Sequence, residues 1–150
     1  MAPALGTAAD LEASILIVSF NTRELLRECL ESALAECARL KDGERAEILV
    51  VDNASRDGSA AMVEAEFAAR ATPVRLIKSE VNLGFATANN LAMAQARGRY
   101  LVLLNSDAFF HEGALVRAIE HMDSEPRAGA GGARLVGRDG SWQPSARAFH

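Results

Sequence analysis

Asparagine and aspartate recur at four points of the chain, each time just after a short apolar run. Run 14–19 ends in Ser19-Phe20-Asn21-Thr22, and run 47–52 ends in Asp52-Asn53-Ala54-Ser55-Arg56-Asp57-Gly58. Run 74–78 leads to Asn82-Leu83-Gly84-Phe85 and on to Asn89-Asn90, and run 100–104 to Asn105-Ser106-Asp107. Such residues support three kinds of chemistry. Asp52, at the end of a buried strand, can accept a hydrogen bond from the N3–H of uracil or thymine, with Phe20 packing on the base. Asp107, with Asn105 two residues before it, offers oxygen ligands to a hard cation such as Mg²⁺ or Mn²⁺. That ion would bridge diphosphate oxygens and stabilise the charge on a departing diphosphate. Asn82, Asn89 and Asn90 can hydrogen-bond sugar hydroxyls, with Gly84 allowing a turn at positive φ.

Each position also has a plainer reading, because loops favour Asn and Asp in any protein. Asp52 suits an Asx turn before a helix. Asp107 suits a helix cap, although it lies too far upstream of a helix starting near Glu112 to be a good one. Four strand ends delivering the same residue types into one crevice favour a binding site.

The elements that must position these residues are legible from periodicity. Runs one, two and four are continuously apolar and about five residues long, as expected of strands buried on both faces. Run three carries Arg75 and Lys78 and reads as an edge strand. Between the runs lie amphipathic helices over 22–40, 59–70, 86–97 and 112–124. Thr22 is placed to cap the first, and Lys41-Asp42-Gly43 to end it. Alternation of strand and helix four times predicts an α/β fold, a mostly parallel Rossmann-like sheet with helices on both faces. Ligands of such sheets bind beyond the carboxyl ends of the strands. After Pro126, residues 133–136 and 141–143 read as a hairpin around Arg138-Asp139-Gly140.

Composition narrows the function classes. The chain has 150 residues, 49% hydrophobic and 24% charged, with a net charge of -4, which suits one soluble globular domain. No basic footprint for nucleic acid appears. The turn after run one has no glycine, so a dinucleotide G-x-G-x-x-G loop is absent, and neither a P-loop nor a G-x-S-x-G nucleophile elbow occurs. Histidines 111, 121 and 150 lack metal-ligand spacing. Cys29 and Cys37 lie eight positions apart on a helix, roughly 12 Å, beyond the about 7 Å reach of a disulfide, so both read as reduced core residues. Residues 1–13 read as a tail without the features of a signal peptide, and no run is long enough to cross a bilayer. A cytoplasmic location is expected, with association at the cytoplasmic face of a membrane left open.

At these residues the sequence resembles the family 2 glycosyltransferases of GT-A fold, and within them the bacterial rhamnosyltransferase-like branch that builds cell-surface polysaccharides. The resemblance rests on Ser14-Ile-Leu-Ile-Val-Ser-Phe-Asn-Thr22, Val50-Val-Asp-Asn-Ala-Ser-Arg-Asp-Gly-Ser59, Asn82-Leu-Gly-Phe-Ala-Thr-Ala-Asn-Asn90, Leu103-Leu-Asn-Ser-Asp107 and Gly132-Ala-Arg-Leu135 with Asp139-Gly-Ser141. It implies a nucleotide-sugar donor, a divalent cation, inversion at the anomeric carbon, and a saccharide or lipid-linked acceptor. By matching position, Phe20 and Asp52 would contact the nucleobase, and Ser19, Asn21 and Asn53 are further substrate-binding candidates. Residues 82–90, with Gly84 and Phe85, would line the donor pocket. Asn105-Ser106-Asp107 would stand where the family's D-x-D motif binds metal and diphosphate, with Asn replacing the first acid and Asp107 as the metal ligand. The family's general base, an Asp or Glu serving the acceptor hydroxyl, is expected beyond His150. Residues 14–150 are therefore expected to form a GT-A domain truncated before its acceptor-binding half, with exposed apolar surface that invites homo-oligomers.

Three other readings compete. A non-catalytic nucleotide-sugar-binding module would keep the same residues without turnover. A dinucleotide oxidoreductase is disfavoured by the missing glycine loop. A receiver-type phosphoacceptor would want an acid after the third strand, where Ser79 stands.

Overall fold

The apolar runs pair as a four-stranded, wholly parallel sheet in a computed structural model that describes residues 11–40 and 45–144. Its strands are β1 (Ala13–Ser19), β2 (Ala46–Asp52), β3 (Val74–Lys78) and β4 (Tyr100–Asn105), in the order β3-β2-β1-β4. The helices are α1 (Arg23–Cys37), α2 (Ser59–Phe67), α3 (Phe85–Met93) and α4 (Ala114–Ser124). The chain divides into two compact units, residues 1–116 and 117–150.

In the first unit, β1 and β2 occupy the centre and are buried on both faces, which explains their unbroken apolar sequences. Side chains alternate across the sheet. Leu16, Leu49 and Val51 share one face with Ala88 and Ala92 of α3. Ile15, Ile17, Ile48 and Val50 point to the opposite face, where α1 packs on β1 and against α2. Helices on opposite faces follow from the connections. The chain steps outward from β1 to β2 to β3, then returns past β1 to β4, and a right-handed crossover in the reverse direction must lie on the other side of the sheet. β1 and β4 thus flank the point where the topology reverses, the place where open α/β sheets bind ligands.

Three expectations need correction. β4 is not buried on both faces: Leu101 and Leu103 are 45% and 49% exposed, alternating with more protected neighbours. It is the second edge of the sheet, so a continuous apolar sequence here reports one covered face rather than two. Thr22 makes no side-chain cap bond to α1. That task falls to Asp57, whose Oδ2 accepts from the Arg23 amide at 2.8 Å while its Oδ1 accepts from the amide and hydroxyl of Ser59. One ionised carboxylate therefore starts both α1 and α2, an arrangement stronger than a neutral hydroxyl cap. β3 is the edge strand its charged residues predict. The expected stop of α1 at residues 41–43 comes too late: the helix ends at Cys37 with Ala38 as its C-cap, and the Arg39 and Leu40 amides turn back to the Glu36 and Cys37 carbonyls in a tighter final turn. Residues 41–43 themselves, like residues 1–10 of the N-terminal tail, lie outside the described residues.

The second unit contains the end of α4 and an antiparallel hairpin, β5 (Leu135–Val136) with β6 (Trp142–Gln143). Asp139 Oδ1 accepts from the Ser141 amide and hydroxyl and shapes the turn, as the Arg-Asp-Gly sequence predicts. No described helix is long and apolar enough to cross a membrane.

Candidate functional site

Beyond the carboxyl ends of β1 and β4 opens a cavity of about 460 Å³, lined by Val18, Phe20, Thr22, Asn53, Asn82, Phe85, Asn105, Ser106 and Asp107. Three of the four strand ends and the loop before α3 contribute to it. The register explains the meeting: Val18 pairs with Asn105, and Ser19 with Asp52, so residues distant in sequence finish at one level.

The rim is held by side chains that bond to backbone. Asn21, at φ 54°, accepts from the Arg56 amide through its Oδ1, and its own amide donates to Ser55 Oγ. Asn53 Oδ1 accepts from the Leu83 amide, and Asn53 Nδ2 donates to Asn82 Oδ1. Because Asn82 Oδ1 also accepts from the Gly84 amide, the carboxamide is turned so that its NH₂ carries the remaining donors. Gly84 has φ 75° and ψ 169°, a region open essentially to glycine alone, and it sets the approach of Phe85. Phe20 and Phe85 are 47% and 59% exposed. Large aromatics left this open at a cavity offer flat apolar faces to a ligand.

Asp52 lies at the end of β2, 4% exposed, outside the cavity lining but beside Asn53. Its Oδ2 accepts from the Ser55 amide at 3.2 Å, and its Oδ1 has no hydrogen-bond partner among the described residues. A buried carboxylate oxygen without a partner forfeits about 1–3 kcal/mol. Thr22 is the lining residue that sequence reasoning assigned elsewhere. Its hydroxyl donates to Ser106 Oγ at 3.0 Å and lies 3.0 Å from Ser19 Oγ. A chain of three hydroxyls thereby ties the end of β1 to the end of β4. Its place in the Ser-Phe-Asn-Thr run was the available signal. Val18 was likewise hidden within an apolar run.

Of the candidate residues, Phe20, Asn53, Asn82, Phe85, Asn105, Ser106 and Asp107 line the cavity together. Ser19, Asn21 and Gly84 brace its walls. Asn89 is buried within α3, its Nδ2 donating to the Phe85 carbonyl, and Asn90 is exposed beside it; neither lines the cavity.

For a cation the donor set is sparse. Asp107 is the one ionisable residue in the lining, with carboxamide and hydroxyl oxygens at Asn105 and Ser106 beside it. No group of three or more His, Cys, Asp or Glu side chains capable of holding a metal occurs among the described residues. This suits Mg²⁺ or Mn²⁺ held between one carboxylate and the phosphates of a ligand, and does not suit a metal caged by protein alone. Beneath β4, burial and then the Asp107 charge push the Cys29 thiol up to about 12. Both cysteines are free and buried, as their spacing implies.

Comparison with known proteins agrees with this geometry. Residues 14–148 match the family described as glycosyl transferase family 2. The succinoglycan biosynthesis protein ExoO of Rhizobium meliloti is 33% identical over 122 residues, covering 81% of this chain and 32% of that protein. A putative teichuronic acid biosynthesis glycosyltransferase of Bacillus subtilis, TuaG, is 27% identical over 109 residues, covering 73% and 41%. Among solved structures, S. aureus TarS in complex with UDP superposes with TM-score 0.67 at 23% identity, covering 76% of this chain and 32% of that one. A Pyrobaculum calidifontis mannosyltransferase in complex with GDP-Man and Mn²⁺ gives 0.66 at 24%, covering 77% and 33%. The chain thus spans about a third of the length of several proteins it matches. By family match across most of its residues and by its α/β sheet of GT-A type, the chain belongs to glycosyl transferase family 2.

Proposed function

We propose that this chain is the donor-binding part of an inverting glycosyltransferase. It would transfer sugar from a UDP- or dTDP-sugar to a saccharide or lipid-linked acceptor in cell-surface polysaccharide synthesis. The observation that carries the reading is the buried Oδ1 of Asp52, without a hydrogen-bond partner among the described residues, at the strand end next to Asn53 of the cavity that Phe20 and Phe85 also line. A pyrimidine with an N3–H satisfies it, and the base then lies against Phe20. The Asn82 NH₂ is available to the sugar or ribose.

Electrostatics supports a divalent cation. A diphosphate entering a wall whose only charged residue is Asp107 meets repulsion and no arginine or lysine. Asp107, Asn105 and Ser106 would hold Mg²⁺ or Mn²⁺ against the diphosphate. The ion, when bound, neutralises the phosphate oxygens and the charge that develops as the diphosphate leaves. Proton abstraction from the acceptor requires a base that we assign to residues outside these matched positions. A cytoplasmic reaction, at the membrane face where the acceptor is lipid-linked, fits this chemistry.

A second reading, a nucleotide-sugar-binding module without turnover, is favoured by the absence of any further acid or base in the cavity lining. Donor hydrolysis or transfer by the chain excludes it.

Isothermal titration with UDP or dTDP and Mn²⁺ tests the leading reading. Binding is expected, weakened about 10- to 100-fold by Asp52→Asn, in line with about 1.5–3 kcal/mol for a hydrogen bond to a charged group. Asp107→Ala should remove the Mn²⁺-dependent part. A folded protein that binds neither nucleotide overturns the proposal.

A further inference from the structure

Helix α1 carries a polar stripe that none of the chemistry above uses. Cys29, Ser32 and Glu36 recur at three- and four-residue spacing, which places them on one face of the helix. All three engage the Asn105-Ser106-Asp107 turn or the segment that follows it. The Cys29 thiol donates to the Asn105 carbonyl at 3.5 Å. Ser32 Oγ accepts from the Phe110 amide at 3.2 Å while donating to its own helix at the Cys29 carbonyl. Glu36 Oε1 accepts from the Gly113 amide at 2.7 Å, and Oε2 from the Leu115 amide at 2.9 Å.

Glu36 is 2% exposed, an unusual place for a carboxylate. Burying one is costly unless its oxygens are met. Here two backbone donors and the N-terminal end of α4, which favours negative charge, offset that cost, and Arg39 lies 3.1 Å from Oε1. Two acceptor oxygens match two N–H groups. A glutamine in the same position offers one acceptor and sets its NH₂ against an N–H donor. The stretch from Asn105 to the first turn of α4 is therefore anchored to α1 at residues 105, 110, 113 and 115. One short bond closes the turn that carries Asp107, from the Ala108 amide to the Asn105 carbonyl at 3.0 Å.

We propose that Glu36, assisted by Ser32, is a positioning residue for Asp107, fixing through the 108–115 segment where that carboxylate meets a cation-bound diphosphate. The proposal rests on the donor-site reading above for its function, and on the α1 contacts for its geometry.

Titration of UDP with and without Mn²⁺ on wild type, Glu36→Gln and Ser32→Ala tests the function. Metal-free affinity, which depends on Asp52 and Phe20, should stay within about two-fold of wild type in both variants. The gain in affinity conferred by Mn²⁺ should fall about ten-fold in Glu36→Gln and about three-fold in Ser32→Ala, which also serves if the first variant does not fold. A lowered melting temperature with an unchanged Mn²⁺ gain overturns the proposal and leaves Glu36 as a cap of α4.

Amide hydrogen exchange separates this from failure of the donor reading. Even in a chain that binds no UDP, protection of the Ala108 amide should drop in Glu36→Gln, although Glu36 does not touch it. Unchanged protection at Ala108 overturns the tether itself.

Discussion

Strand β2 has a buried carboxylate at each end, and the two are treated in opposite ways. Glu47, at the amino end, is fully buried with both oxygens met. Its Oε1 accepts from Ser14 Oγ at 2.9 Å and from the Arg97 amide at 2.8 Å. Its Oε2 accepts from the Arg97 guanidinium at 2.8 and 3.2 Å, with Arg75 at 3.4 Å. Burial pushes its pKa up, but the Arg97 and Ser14 bonds outweigh that and hold it below its ordinary value of 4.5. Asp52, at the carboxyl end, has one amide donor and an oxygen with none. The backbone repeats the contrast. Gly98, bonded to Ser14 at the amino end, is packed so tightly that a Cβ would come within 2.3 Å of the Ser14 nitrogen, whereas Gly84 at the cavity has nothing within 4 Å. Among the described residues, one end of the strand has its carboxylate fully met and the other has an oxygen unmet.

The largest effect that tests this contrast is on stability. Glu47→Ala removes the charge-assisted bonds that the Ser14 hydroxyl and the Arg97 amide make to it, and at about 2 kcal/mol for each such bond it should cost about 4 kcal/mol in urea unfolding. Asp52→Asn should cost less than about 1 kcal/mol, since it leaves no additional oxygen unmet. Equal losses would erase the distinction between the two ends.

Glycine substitution gives a smaller effect by two different routes. Gly98→Ala forces a methyl into backbone, and overpacking of that kind costs about 3 kcal/mol. Gly84→Ala meets no atoms and should cost about 1–2 kcal/mol, from backbone strain alone. Reversal of that order would show the amino end to be the more adaptable.

The smallest effect is that of pH. Because Glu47 and Asp57 are held below their ordinary values of 4.5 and 3.8, the unfolded chain binds protons more readily than the folded one. Their contribution to stability is present above the unfolded values and is lost as pH falls through the folded ones. Urea midpoints measured downward from pH 6 should therefore decline below about pH 4.5, and decline less steeply in Glu47→Gln. An identical slope in the variant would mean that Glu47 gains nothing from its arginines.

How far this was legible in the sequence depended on whether a residue's partner was local. The Asn and Asp clusters announced the strand ends because strand, loop and helix signals are short-range. Phe20, Asn53, Asn82 and Asn105-Ser106-Asp107 line one cavity because a parallel sheet aligns its carboxyl ends. Thr22 was read as a local cap, since nothing in its neighbourhood reveals Ser106, 84 positions away. Glu47 sat unnoticed at the start of an apolar run, and Glu36 looked like one more charge on an amphipathic helix. The exposed face of β4 was also illegible, because edge and central strands of equal hydrophobicity read alike.

Local sequence determined the alternation of elements, the α/β class and the residue types at each strand end, because hydrophobic period and turn chemistry act over a few residues. The family motifs followed from the same short segments. Tertiary structure alone decided which of those polar groups would be satisfied. Ser14, Arg75 and Arg97 converge on Glu47, α1 reaches across to Gly113 and Leu115, and no described side chain bonds to Asp52 Oδ1. A hydrogen bond needs two groups within about 3 Å, and only the folded chain brings groups so far apart in sequence to that distance.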